Sequence, residues 1–186
     1  ADEGNAYYQY TIGWMYRNGK GIDQDYKEGV YWYRLAAEQG LADAQNNLGL
    51  IYFNGEGVNQ DYDKAFYWFK LAARQGDAEA MTSLGYLFDH GHGVQEDKIE
   101  AVYWYRRAAE LGNAKAQLNL AVMFYEGNGV VEDYVYAHMW SNIASSLGEY
   151  SASKLKNNLT KKMTSSQIEE AQRLARECVK KNYKGC

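Results

Sequence analysis

No run of apolar residues in this chain approaches the roughly 20 needed to cross a bilayer as a helix; Ala65–Phe69 is among the longest. No membrane span, lipid anchor or signal segment is therefore read from it. Basic residues are scarce through most of the chain. Residues 1–149 carry 11 Lys and Arg against 21 Asp and Glu, a net −10, whereas residues 150–186 carry 9 against 3, a net +6. An acidic surface repels phosphate backbones, so no nucleic-acid partner is expected, and only the basic tail leaves that route open. Histidine is also sparse, at 3 residues, and metal ligands cluster in one place, Asp89-His90-Gly91-His92. No Ser or Cys nucleophile with a His-Asp partner is suggested.

What is present is repetition. Gly13, Gly49 and Gly85 lie 36 apart, as do Trp32, Trp68, Trp104 and Trp140. A fixed period of this length marks a stacked array, and 46% hydrophobic with 24% charged residues is the balance of a chain that can bury a core. The expected fold class is all-α, built of 36-residue helix-turn-helix repeats: 6–41, 42–77, 78–113 and 114–149. Residues 1–5 read as the end of a preceding repeat, which suggests a chain processed or excised from a longer precursor.

Each repeat divides into two helical halves. In 42–77, Ala44, Leu48, Ile51 and Tyr52 make the apolar stripe of a first helix. The helix closes at Gly55-Glu56-Gly57, where glycine accepts positive φ. Gly-x-Gly recurs at Gly19/Gly21, Gly91/Gly93 and Gly127/Gly129, so it reads as a structural turn rather than a phosphate loop, and no cofactor is expected. Asp25, Asp61, Asp97 and Asp133 are placed to cap the second helix. Asp25 with Glu28 and Asp97 with Glu100 have capping-box spacing. Glycine inside the first helix costs about 1 kcal/mol against alanine, so Gly49 implies a bulky neighbour, for which the repeated Trp is the natural occupant. The alanine pairs, such as Ala72-Ala73, offer a thin face to the next repeat.

The linked positions Leu48-Gly49-x-x-Tyr52, Gly55-x-Gly57-Val58, Asp61-Tyr62, Lys64-Ala65, Trp68 and Ala72-Ala73-x-x-Gly76 resemble the Sel-one-like repeat, a longer relative of the tetratricopeptide repeat. The resemblance covers residues 6 to about 148. It departs from the pattern at Lys98, Ala121 and Ala144-Ser145, which replace Tyr62, Gly49 and the alanine pair. It implies a right-handed α/α superhelical solenoid of bacterial type whose first helices line a concave face. It also points to a non-catalytic adaptor or scaffold, with a structural part in an envelope or secretion assembly as the alternative.

Beyond Gly148 the period continues for half a repeat, 150–163, with Tyr150, Ala152, Lys156 and Leu159 in register. Thr164-Ser165-Ser166-Gln167 then has capping-box spacing, and Ile168, Ala171, Ala175, Cys178 and Val179 form an apolar stripe to about Lys181. Residues 164–181 are read as a capping helix that stops the stack, with 182–186 as a tail. Cys178 and Cys186 are the only cysteines. They are either bridged, which fits a periplasmic or secreted setting, or a core residue and a free tail thiol. The resemblance includes cysteine-rich proteins with a Cys pair in each repeat; here the four repeats have none.

Three places invite a chemical reading. Two imidazoles and a carboxylate at 89–92 could hold zinc weakly, but His90 and His92 stand where other repeats have Asn18, Asn54, Glu126 and Lys20, Glu56, Asn128, as turn residues. His138 replaces Phe66 and Val102 and reads as a packed histidine. Some cysteine-rich relatives are linked to β-lactam binding and hydrolysis, and Ser151-Ala152-Ser153-Lys154 spells Ser-x-x-Lys. The companion Ser-Asp-Asn and Lys-Thr-Gly motifs are missing, so no enzyme is expected.

The better candidate is the first-helix stripe that stacking leaves free, at i, i+3, i+7 and i+10. It comprises Tyr7, Tyr10, Trp14 and Arg17, then Asp43, Asn46, Leu50 and Phe53. Glu79, Thr82, Tyr86 and Asp89 follow, then Lys115, Leu118, Val122 and Tyr125. Rings rimmed by charge suit a protein or peptide partner. The competing reading has Tyr7, Tyr10 and Trp14 covering a missing preceding repeat, and Leu50 and Val122 packing on their own second helices.

Overall fold

The computed structural model describes residues 4–186. The reading of the chain start as the end of a repeat lies, for residues 1–3, outside the described residues. Among those described there are ten helices and no strand: α1 Ala6–Asn18, α2 Tyr26–Glu38, α3 Ala42–Asn54, α4 Tyr62–Arg74, α5 Ala78–His90, α6 Lys98–Glu110, α7 Ala114–Glu126, α8 Tyr134–Ser146, α9 Tyr150–Thr160 and α10 Ser165–Lys180. This is the all-α solenoid class that the period predicts. Two compact units divide it, one running through Gln95 and one from Glu96 to Cys186. In the first, α1 to α4 pack as successive neighbours, with α5 on α4. In the second, α7 packs between α6 and α8, and α8 is also covered by α9 and α10.

Capping chemistry sets the helix lengths. The side chains of Asp25, Asp61, Asp97 and Asp133 each accept backbone N–H groups at the start of α2, α4, α6 and α8. The backbone N–H groups of Asp25, Asp61 and Asp133 also donate to Tyr16, Tyr52 and Phe124 carbonyls at the ends of the preceding helices, closing each turn. At Thr164 and Gln167 the reciprocal capping box forms. The first helix of each repeat ends in a left-handed glycine: Gly55, at φ 74°, donates to Ile51 O at 2.8 Å. No proline occurs to interrupt any helix.

The second glycine of the turn does something its spacing does not reveal. A Cβ on Gly57 would lie 2.6 Å from Tyr26 Cβ and 2.8 Å from its carbonyl carbon, and one on Gly93 would lie 2.6 Å from the Tyr62 carbonyl. Gly129 is as closely set against Lys98. Each of these glycines therefore seats its turn on the first residue of the preceding repeat's second helix, backbone to backbone.

Packing within a repeat corrects one expectation. The ring that fills the space beside Gly49 is Phe69, not Trp68: an added Cβ would meet Phe69 ring atoms at 2.6, 2.7 and 3.1 Å. Gly13 likewise faces Tyr33. One residue turns an α-helix by about 100°. Position 69 therefore points into α3, while Trp68 stays at the margin against Tyr67, ring centroids 5.0 Å apart. Tyr33, Phe69 and Tyr105 are buried, whereas Trp32, Trp68 and Trp104 are only partly so. Trp140 is buried completely, on the helix that α9 and α10 also cover.

A buried glutamine stitches repeat to repeat. Gln45 Nε2 donates to the Ala37 carbonyl at 3.0 Å, and Gln45 Oε1 accepts from Gln75 Nε2 at 2.8 Å. Gln117 makes the same bond to Ala109 in the second unit. At the far end, Cys178 and Cys186 are joined as a disulfide, Cα atoms 5.6 Å apart. The short tail folds back so that Gly185 N–H donates to Glu110, and the Tyr183 ring lies against Gly112.

Candidate functional site

In the first unit the first helices of three repeats, α1, α3 and α5, bring side chains together on one side. Tyr7 and Trp14 of α1 are 66% and 43% exposed, which is much ring surface for a protein to leave in water. Tyr10 is half-buried, with Tyr7 6.2 Å to one side and Tyr33 set edge-on at 5.6 Å. Burial, then the negative charge of Asp43, pushes the Tyr10 phenol above its ordinary pKa.

Arg17 is not a free rim charge. Its Nε donates to Glu56 Oε2 at 2.7 Å, its Nη2 to Glu56 Oε1 at 3.0 Å and its Nη1 to Asn47 at 3.0 Å. This bidentate pair ties α1 to the turn after α3. Burial opposes the Glu56 charge, but hydrogen bonds from Arg17 and Asn54 outweigh it and hold the carboxyl below the ordinary range. Beneath them burial pushes the Tyr33 phenol up to about 12, against the pull of Arg17.

Asp43 is exposed on α3, but Asn46 is 4% exposed, which places it in the floor rather than on the surface. Its Nδ2 donates to Glu79 Oε2 across α3 and α5 at 3.4 Å. Leu50 and Phe53 are half-buried. On α5, Glu79 is exposed and the Thr82 hydroxyl is turned inward to the Ala78 carbonyl at 2.7 Å.

Phe53 and Tyr86 meet edge-on with centroids 5.7 Å apart, and the two turn histidines complete the group. His90 stacks on Tyr86 at 4.0 Å, and His92 stacks on Tyr62 at 4.5 Å. Asp89 lies beside His90, with Oδ2 3.7 Å from Nδ1. The histidines thus belong to an aromatic cluster. Among the described residues no group of three His, Cys, Asp or Glu could hold a metal ion.

In the second unit Lys115 is exposed, and Leu118, Val122 and Tyr125 are half-buried. Lys162 donates to the Tyr125 hydroxyl at 2.6 Å and sits 4.8 Å from its ring centroid. His138 is buried, with Nε2 3.3 Å from the Thr160 hydroxyl and Nδ1 lacking a partner. Lys154, of the Ser-x-x-Lys run, lies over the Tyr150 ring. No helix among the described residues is long and apolar enough to cross a membrane.

Two observations were not legible in single positions. The burial of Asn46 could not be told from the exposure of Asp43, because both are polar residues on one helix and both positions vary between repeats, as Tyr7, Glu79 and Lys115 and as Tyr10, Thr82 and Leu118. The Gln45 stitch could have been found: glutamine recurs at 9, 45 and 117, on offsets that are multiples of the period.

Uniform two-helix repeats, glycine-closed and aspartate-capped, define the tetratricopeptide-like class of α-solenoids. Within it, the chain belongs to the Sel1 repeat family, whose model matches residues 6–41, 42–77, 78–113 and 114–149. It is similar to a Sel1 repeat protein from Oxalobacter formigenes, at 35% identity and a TM-score of 0.81, over 91% of this chain and 73% of that one. It is also similar to c5321, a protective antigen of uropathogenic Escherichia coli with this fold. There the identity is 28% and the TM-score 0.65, over 98% of this chain and 48% of that one, so the chain spans about half the antigen's length. Cysteine-rich protein B of Helicobacter pylori, at 23% identity and a TM-score of 0.57, over 74% of this chain and 98% of that one, shares the fold. Comparison with curated proteins returned no match. Membership places the chain among non-catalytic protein-interaction modules of bacterial type.

Proposed function

We propose that the chain is an adaptor that holds an extended peptide or protein segment across the faces of its first helices. The observation that carries this reading is the side of the first unit where α1, α3 and α5 present Tyr7, Trp14 and Tyr86 to solvent beside Asp43 and Glu79. Rigid rings give contact area at low entropic cost, and the charges around them orient the partner. In the second unit, taken by itself, Lys115, Leu118, Val122 and Tyr125 occupy the equivalent positions on α7. The Cys178–Cys186 bridge supports a periplasmic or secreted setting, because disulfides persist in oxidising compartments.

The test is affinity capture with the 186-residue chain and with its Trp14→Ala and Tyr86→Ala variants, each shown to be folded by circular dichroism. Loss of the same partner from both variants is expected. Retention of every partner by both overturns the reading.

A further inference from the structure

We propose that the exposed stripe of α4, with the turn that ends α2, is a seat for an amphipathic helix of a partner protein. That helix buries alanine-sized residues and carries an aromatic ring just beyond its end. The seat lies on second helices and does not rest on the reading of the first-helix face.

The last repeat shows what covers such a stripe. On α8, Met139, Trp140 and Ile143 are 1%, 0% and 2% exposed. Two periods earlier, on α4, the same positions hold Tyr67, Trp68 and Leu71; Tyr67 is 56% exposed and the other two are half-buried. The following first helix is not the difference, because α5 packs on α4 as α9 packs on α8. What α8 has in addition is α10, which buries Ala171, Ala175 and Cys178 at i, i+4 and i+7. Side chains this short let one helix approach closely over the bulky residues of another.

The tail completes that seat. Beyond α10 the Tyr183 ring lies against Gly112, and Gly185 N–H donates to Glu110 Oε1 at 3.2 Å. Two periods earlier stand Gly40 and Glu38. Glu38 is exposed and takes part in no ion pair among the described residues. Nothing among them lies within 4 Å of a Cβ placed on Gly40. Gln45 holds this turn beside the end of α4, bonding the Ala37 carbonyl at 3.0 Å and Gln75 at 2.8 Å. Repeat two thus keeps the parts that α10 and the tail cover in repeat four, with its tyrosine in water.

Repeat three shows the alternative. There Arg107 stands at the Leu71 position, 5.7 and 5.6 Å from the Tyr103 and Trp104 rings, and donates to the Tyr103 hydroxyl at 3.2 Å. That pair of rings is covered by the chain's own cation. Tyr67 and Trp68 meet edge to face at 5.0 Å, and no cation among the described residues lies over them. Rings set along one helix read a partner helix through residues spaced i, i+4 and i+7. The α10 of a second copy is not available for this, because it is engaged on its own α8 and its tail is tied by Cys178–Cys186.

The probe is a synthetic peptide of residues 164–186 with the Cys178–Cys186 bridge formed. A lactam joins Glu169 to Arg173→Lys, exposed positions four apart, and holds the peptide helical. It is titrated into the 186-residue chain by fluorescence anisotropy and by amide chemical shifts of the labelled protein. Expected is binding that shifts Tyr67, Trp68 and Gly40. Affinity should fall about tenfold or more with Tyr67→Ala, at an exposed position, and with Leu71→Arg, which copies the cover of repeat three. Ala175→Leu in the peptide should weaken it by a similar factor, and Tyr103→Ala in the chain should not. Each variant is shown to be folded by circular dichroism. Trp14→Ala, which tests the first-helix face, should not weaken this peptide, so the two surfaces fail separately.

Absence of binding at millimolar peptide, or full affinity in both Tyr67→Ala and Leu71→Arg, overturns the seat. Shifts centred on Met139 and Trp140 instead mean that the peptide displaces α10 from α8, and overturn it as well. A dimer of the chain alone that Tyr67→Ala dissolves, seen by sedimentation, overturns the partner protein as the occupant in favour of a second copy.

Discussion

Replacing Gly49 by alanine sets two effects of opposite sign against each other, and the structure decides between them. In a helix interior the substitution gains about 1 kcal/mol of propensity. Against this, the new methyl would stand 2.6–2.7 Å from two Phe69 ring carbons and 3.1 Å from a third. Ordinary carbon contacts lie near 3.5–4.0 Å, so the overlap is close to an ångström on a ring that is 1% exposed and cannot withdraw into solvent. Overpacking of this kind costs about 1–3 kcal/mol, and three clashing atoms place it near the upper end. The expected net loss is about 1–2 kcal/mol. Phe69→Leu alone should also destabilise, through lost volume. In that background, however, Gly49→Ala should become stabilising, because the ring it collides with has gone. Repeat four already carries a pairing of this sort, with Ala121 at the glycine position and Ser141 at that of Phe69. Urea denaturation of the four members of the cycle gives a coupling of at least about 2 kcal/mol if the contact is as described. Stabilisation by Gly49→Ala with Phe69 present would refute the reasoning.

Two other perturbations follow from the second unit. Reducing Cys178–Cys186, or replacing Cys186 by serine, should cost at most about 2.5 kcal/mol on the chain-entropy estimate for so short a loop. The loss should appear by hydrogen exchange in α10 and the tail residues on Gly112, and protection changes confined to the first unit would contradict it. His138 is held below its ordinary pKa of 6.5 first by burial and then by the positive charge of Lys156. The unfolded chain therefore binds the proton more readily, and this histidine's share of stability is present above about pH 6.5 and lost as pH falls through the depressed folded value. His138→Gln should flatten that part of the stability profile in thermal melts from pH 7.5 to 5. An unchanged slope would exclude His138 as its source.

The helices and their ends were legible because each is written locally. Asp61 caps and Gly55 closes whatever the rest of the chain does, and a period of 36 carries both through four repeats. What a periodic sequence does not contain is the identity of each neighbour. The Trp68 position is aromatic in all four repeats and the Phe69 position in three, with Ser141 in the fourth, so regularity favours the wrong ring, and a rotation of about 100° determines which of them meets Gly49. Arg17 read as a rim charge because its partner, Glu56, lies 39 residues away in a turn that looked purely conformational. Asn46 read as open surface for a similar reason: Glu79, which covers it, comes from the following repeat. In each case the position could be read along the chain, and a contact determined its role: within the repeat for Phe69, between repeats for Arg17 and Asn46.

The backbone contact of the second turn glycine gives the stack a direction. Gly57 rests on Tyr26, and Gly93 on Tyr62, so every such turn is fitted to a helix that precedes it in the chain. Gly21, in the first repeat, meets among the described residues only the Met15 side chain, at 3.6 Å. A ribosome delivers the chain in that same order, so each turn emerges to find its seat already made. Duplicating a whole repeat copies both the seat and the turn that sits on it. An array of this kind can lengthen by one repeat at a time without redesigning a joint, whereas reversing the order of helices within a repeat would leave every turn facing away from its seat.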